Sequence, residues 1–341
     1  MKKITILTGL LITALSFSSR ATVLTVSNSP ISGGQYTDIQ SALTAAALDD
    51  TVYVNGSGVT YPAATITKRV TLVGAGYAPA GTQYNMPTTV TSITIDTGGS
   101  FGFPVSGTHI IGLSTGITCN IITTGIHIER CYGSIYYVRG DGWVIENNVI
   151  TTLYTYMQST SSFIVRNNFF IGDFTGAYTL NGAGLIIDHN IFQGHINNVN
   201  FCVISNNIFF FAGIAASSTN GFNTFNDNIT IFGSPDVVPF GTNSGTGNHN
   251  NLTPSTVYAN GVTQPATYPA LLTTDWHVLN ASVGHNGASD GSDIGIFGGA
   301  NPMPNFTGAS TLPQMTLLNI SNTSIPLNGT INFEFKARKQ N

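Results

Sequence analysis

The sequence predicts an all-β fold: a right-handed parallel β-helix, a solenoid in which short strands stack coil upon coil. Three observations predict it. Segments carrying Asn-Asn recur about every twenty residues through the middle of the chain. One amphipathic segment near the start has the form of an end cap. Charge is sparse, at 8% of 341 residues, where a typical soluble domain has about 25%.

The repeat is the strongest signal. Ile-Glu-Arg-Cys-Tyr (128–132), Ile-Glu-Asn-Asn-Val (145–149), Val-Arg-Asn-Asn-Phe (165–169), Ile-Asp-His-Asn-Ile (187–191), Ile-Ser-Asn-Asn-Ile (204–208) and Phe-Asn-Asp-Asn-Ile (225–229) align. Their equivalent positions, Cys131, Asn148, Asn168, Asn190, Asn207 and Asn228, are separated by 17, 20, 22, 17 and 21 residues. That period suits three short strands and their turns per coil, and is too long for a hexapeptide repeat. Stacked strands lie about 4.8 Å apart, and an Asn amide both donates and accepts. Asn side chains at one turn are therefore expected to bond up and down the stack as a ladder. The flanking Ile, Val and Phe fill the interior.

A solenoid exposes core and unpaired backbone at its first coil, so an end cap is expected. After a strand over 23–26 and a turn at Gly33-Gly34, Thr37 and Gln40 have the spacing of a capping box. Ile39, Ala42, Leu43, Ala46 and Ala47 then recur at helical spacing, predicting one short helix over 38–48. Strands are expected over 51–54 and 65–73. At the other end, 301–313 is rich in Pro, Gly, Ser and Thr and reads as a linker. Strand candidates at 315–320 and 330–337 flank Asn328-Gly329 and suggest a hairpin-like tail.

Lys2 and Lys3 precede an apolar run over 4–17, and Ser19-Arg20-Ala21 offers small residues for cleavage. This has the form of a secretory signal peptide, and the run is too short for a comfortable membrane span. The expected organisation is a signal peptide at 1–21, a capped β-helix at 22–299, and a linker with a short β tail at 300–341. The expected location is extracellular or at the cell surface. Net charge is −4 and no Lys falls between Lys68 and Lys336, which excludes a basic groove for nucleic acid. Cys119, Cys131 and Cys202 are an odd, irregular set. They read as small apolar residues of the stack, with a Cys119–Cys131 bridge as the alternative.

Candidate chemistry lies in two places. The position before the Asn pair holds Glu129, Glu146, Arg166, Asp188, Ser205 and Asn226. In register, these form one outer column, with Glu146, Arg166 and Asp188 alternating in sign. Glu129 and Glu146 would repel unless a cation lay between them, and calcium takes such hard oxygen ligands. The second place surrounds Arg139 and Asp141, where Tyr136, Tyr137, Trp143, Tyr154 and Tyr156 gather aromatic faces suited to stacking on sugar rings. Tyr137 and Tyr154 stand six residues after Cys131 and Asn148 and are expected to be equivalent.

These features resemble the pectin-lyase-like superfamily. The resemblance is carried by the Gly-Gly-x-Tyr-x-x-Ile-Gln-x-Ala cap (33–42), the Asn-Asn-x-Phe coils, Asp275-Trp276-His277-Val278-Leu279, and the closing Asp-Ile-Gly-Ile-Phe-Gly-Gly (293–299). It covers about 23–299 and implies the fold. Function varies across such scaffolds. Asp188-His189 resembles the pectate-lyase Trp-Ile-Asp-His motif, but Ile186 replaces the Trp and the family's arginine motif is missing. The polygalacturonase carboxylate motifs and a Gly-x-Ser-x-Gly elbow are also missing. The expectation is a secreted, non-catalytic β-helix that binds polysaccharide or a cell-surface glycan. The alternative is a calcium-dependent uronate lyase using Arg139, Asp141 and Arg166.

Overall fold

The computed structural model describes residues 21–29, 33–78, 86–99, 103–156, 162–181, 184–210, 221–231, 237–258, 271, 274–304, 306, 314–320 and 333–338, the backbone alone at 177–181, 314–320 and 333–338. The expected signal peptide falls outside these residues, except at Ala21.

The chain forms an all-β parallel solenoid of about 8 turns. Two sheets run its length, one of ten strands and one of twelve. Both grow coil by coil, each strand pairing in parallel with its equivalent in the next coil. Each central coil has three runs. Trp143–Glu146 lies in the ten-stranded sheet. Val149–Thr155 lies in the twelve-stranded sheet and pairs with two separate strands of the following coil, Phe169–Phe170 and Phe174–Asn181.

The interior is built from columns. Register places Leu24, Val52, Leu72, Ile110, Ile128, Ile145, Val165, Ile187, Ile204 and Phe225 above one another, all buried. Branched side chains suit this pleated surface. Phe170, Phe192 and Phe209 stack with centroids 4.4 and 5.2 Å apart.

The Asn ladder forms and runs further than expected. Cys131 N donates to Asn148 Oδ1, and the pattern continues through Asn168, Asn190, Asn207 and Asn228 to Asn248. A second, shorter ladder joins Cys202, Asn223 and Asn243 at another corner. The three cysteines are free and buried, so the alternative Cys119–Cys131 bridge is not made. At the first corner a left-handed residue precedes each ladder position: Arg130, Asn147, Asn167, His189, Asn206 and Asp227, with φ between 52° and 58°, and Gly247 before Asn248 at 75°. Asn and Asp tolerate that conformation better than most residues.

The cap helix spans Ile39–Ala45, shorter than the expected 38–48. Its N-cap is Asp38, whose Oδ1 accepts from Ser41 N at 2.8 Å, so Thr37 does not close the box with Gln40. Instead the Gln40 amide accepts from Thr65 N and donates to Thr65 O, as a neighbouring strand would. It thereby blunts the edge strand Ala64–Ile66 of the twelve-stranded sheet.

Residues 293–299, expected to close the last coil, instead belong to a turn-rich strap over the outside of the first corner. Asn206 accepts from Ser289 N and Gly295 N. His189 meets Ser292 and packs on Gly299. Asn167 Nδ2 donates to the carbonyls of Ile296 and Gly298, and Asn301 reaches Glu146. The strap thus runs backwards along the solenoid, hooked by the side chains of the left-handed corner residues. A Cβ at Gly298 would collide with the His189 ring and the Asp293 carbonyl. Strap and solenoid enclose a second core, in which Trp276 packs edge-on against Phe169. The tail strands Gln314–Ile320 and Phe333–Arg338 pair antiparallel.

Candidate functional site

Two surfaces gather functional side chains. The first is the outer column beside the Asn ladder, where register aligns Glu129, Glu146, Arg166, Asp188, Ser205 and Asn226 as expected. Pairing is only partly alternating. Arg166 Nε donates to Glu146 Oε2 at 2.6 Å, while Asp188 engages His189, Ser205 and Asn206. The Glu146 side chain is 3% exposed. Burial alone would raise its pKa, but hydrogen bonds from His127, Asn301 and Arg166, with the arginine's charge, outweigh burial and hold it at about 2.

Glu129 does not share a ligand site with Glu146 alone. His109 and His127 stand over one another in adjacent strands, their rings stacked at 4.1 Å and within 5° of parallel. Glu129 lies 3.7 Å from His109 Nε2 and 3.8 Å from His127 Nε2, and His127 Nε2 is 2.8 Å from Glu146 Oε1. His109 Nε2 is buried with no hydrogen-bond partner. Burial first, then the neighbouring His127, pushes the His109 pKa down to about 4, so the imidazole is neutral at pH 7. His109 lies in a coil that precedes the first ladder position, Cys131, so the repeat does not pair it with His127. The signal was there in His-Ile-Ile and His-Ile-Glu, whose histidines sit at 109 and 127, 127 − 109 = 18 residues apart.

The second surface is the wall of the third run. Tyr136 and Tyr137 are 38% and 39% exposed. Tyr137 meets Tyr154 edge-on at 5.6 Å. The Arg139 guanidinium lies 4.5 Å from the Tyr156 ring centroid and 5.4 Å from that of Tyr137, within cation–π range. Tyr154 pairs with Tyr136, not with Tyr137. Tyr137 is the extra residue of a bulge, at φ 60°, which turns its ring outward beside Tyr136. Trp143 departs from the expected set. It is 1% exposed, and its indole donates to the carbonyls of Thr123 and Arg139, so it offers no face to a ligand. Phe201 and Phe222, not singled out in the sequence, form an exposed parallel stack at 5.1 Å.

Arg139, Asp141 and Arg166 are not brought together. Asp141 accepts from Ser162 N, Ser162 Oγ and Gly142 N, a turn-building role that holds its pKa low. Arg166 pairs with Glu146, at the far end of the strand Trp143–Glu146 from the bend that holds Asp141. Arg139 packs on the tyrosine wall.

No protein-family model matches this chain, and neither curated proteins nor solved structures show a significant match to it.

Proposed function

We propose that the protein is a secreted, non-catalytic β-solenoid that binds extracellular or cell-surface polysaccharide, in an adhesin-like or scaffold role. The observation that carries this reading is the wall of Tyr136, Tyr137, Tyr154 and Tyr156 with Arg139 packed on it. Tyrosine offers a large, rigid contact face at low entropic cost, with a hydroxyl for polar recognition. Exposed aromatic clusters of this kind mark interaction sites. The wall is confined to two adjacent coils, where Tyr136 and Tyr154 are in register between Thr118 and Thr175, so it offers a compact platform for a few sugar rings. The signal-peptide-like start, Lys2 and Lys3 before the apolar run over 4–17, supports export, and the resemblance to the pectin-lyase-like superfamily supports the lyase alternative. The lyase alternative has less support, because its three candidate catalytic residues engage separate partners: Arg139 the tyrosines, Asp141 Ser162 and Gly142, and Arg166 Glu146.

The test is a glycan array followed by calorimetry with residues 22–341. Binding to at least one polysaccharide is expected, weakened about tenfold, or ~1.4 kcal/mol, in Tyr136→Ala/Tyr137→Ala. Retention of full binding in that variant would overturn the assignment of the wall. Appearance of unsaturated uronate product, lost in Arg139→Ala, would overturn the non-catalytic reading.

A further inference from the structure

The geometry points to a transition-metal site of the zinc class at His109, His127 and Glu129, placed where the strap ends. The ligand atoms of the three residues all lie within 4.8 Å of one another, the only such group among the described residues. A tetrahedral zinc centre has bonds of about 2.0–2.1 Å, which puts its ligand atoms about 3.3 Å apart. The distances of 3.7 Å (His109–Glu129) and 3.8 Å (His127–Glu129) bring the three residues within reach of one ion, and the two stacked imidazoles turn out of parallel on loading so that both Nε2 lone pairs, which lie in the ring planes, converge on it.

The donor set selects the metal. Two imidazoles and one carboxylate suit zinc and its neighbours, whereas calcium takes only oxygen. His109 Nε2 is buried without a hydrogen-bond partner, an arrangement that costs stability unless something fills the position. The support around the three is already rigid. Both histidines and Glu129 sit on paired strands of the ten-stranded sheet. Glu146, anchored by Arg166 and Asn301, now bonds His127 Nε2. On loading, His127 gives up that bond to the metal, and the Glu146 carboxylate is left beside the ion, where its charge is balanced. The two side-by-side glutamates then face a cation, the condition under which adjacent carboxylates are comfortable.

Residues 22–341, stripped with chelator, would be titrated with Zn²⁺ by calorimetry and separately with Co²⁺ by visible absorption. One ion per chain is expected, with the intense visible bands of four-coordinate cobalt, and millimolar calcium should not displace it. His127→Gln and Glu129→Gln should each weaken zinc binding by at least about tenfold, while His277→Gln, on the exposed Asp275 pair, should leave it unchanged. Absence of stoichiometric zinc binding, or undiminished binding in the folded His127 and Glu129 variants, would overturn the site. Should those variants fail to fold, the cobalt spectrum of the unmodified chain decides. Tetrahedral bands sustain the site, and a spectrum of aqueous cobalt overturns it.

Discussion

At the scale of the residue, two adjacent positions at one corner divide the work. The first is left-handed and points outward; the second points inward and carries the ladder. Asn190 shows what the inward position must do. Its Nδ2 donates toward Val165 O, Asp188 O and Asn207 Oδ1, while its Oδ1 accepts from Asn168 N and Nδ2. All of this is buried, with Asn190 itself fully inaccessible. Asn190→Ala would strand several of these groups at about 1–3 kcal/mol each. A loss of about 3–5 kcal/mol in unfolding free energy is expected from the shift in denaturant midpoint. Asn248, at the half-exposed end of the ladder, has water as a substitute partner. Asn248→Ala is therefore expected to cost only about 1 kcal/mol. Equal losses at the two positions would show that the ladder is not held by burial of its amides.

At the scale of the element, the strap is a structural clamp that ends where Asn301 bonds Glu146, beside His127. Trp276 is 1% exposed and lies 4.7 Å from Phe169, 5.5 Å from Tyr258 and 5.9 Å from Phe210, measured between ring centroids. Trp276→Ala removes the ring that joins strap and coils, at an expected cost of about 3–5 kcal/mol. In limited proteolysis the first new cleavages should fall within 274–306, before any coil is cut; cleavage beginning in the coils would refute the clamp. How much of this was legible follows from which partners are local. The column from Glu129 to Asn226 was readable because each member sits beside a ladder Asn, so aligning one position aligns its neighbour. The strap's contacts were not. Asn167 finds Ile296 and His189 finds Ser292 across more than a hundred residues, and no periodicity reports such a pairing. The motif 293–299 stands out in the sequence, but Gly298 and Gly299 serve close approach to His189, and Gly295 close approach to Ile208, rather than a coil turn. His109 lies in a coil before the ladder begins at Cys131, so the repeat does not bring it beside His127; strand register does. Tyr137 was paired with Tyr154 on equal spacing, and the bulge shifts that register by one.

At the scale of the whole molecule, a solenoid has no closed core, and its stability depends on neighbouring coils and on what covers the ends. Sparse charge fits that construction, since amides and hydroxyls satisfied along the stack replace the ionic surface of a compact domain. The first coil is the exposed point. Strand Val23–Val26 pairs with Thr51–Val54, and the helix Ile39–Ala45 buries Ile39, Ala42 and Leu43 against the coil end. Gln40 meanwhile occupies the backbone edge at Thr65. Removing residues 22–48 would bare Val52 and Val54 together with a full row of unpaired strand groups, a template for end-to-end association. Chains beginning at Asp49 are therefore expected to elute from size exclusion as larger species than chains beginning at Thr22, with light scattering rising with concentration. The milder Leu43→Asp should produce the same shift to a smaller degree, because it unseats the helix while leaving the covering strand in place. If both variants kept the mass and the thermal midpoint of the parent chain, the first coil would be closed by its own side chains and the helix would be dispensable. The covalent order of the segments favours the first outcome: the cap precedes the coils, and each later coil finds a completed neighbour on which to pair.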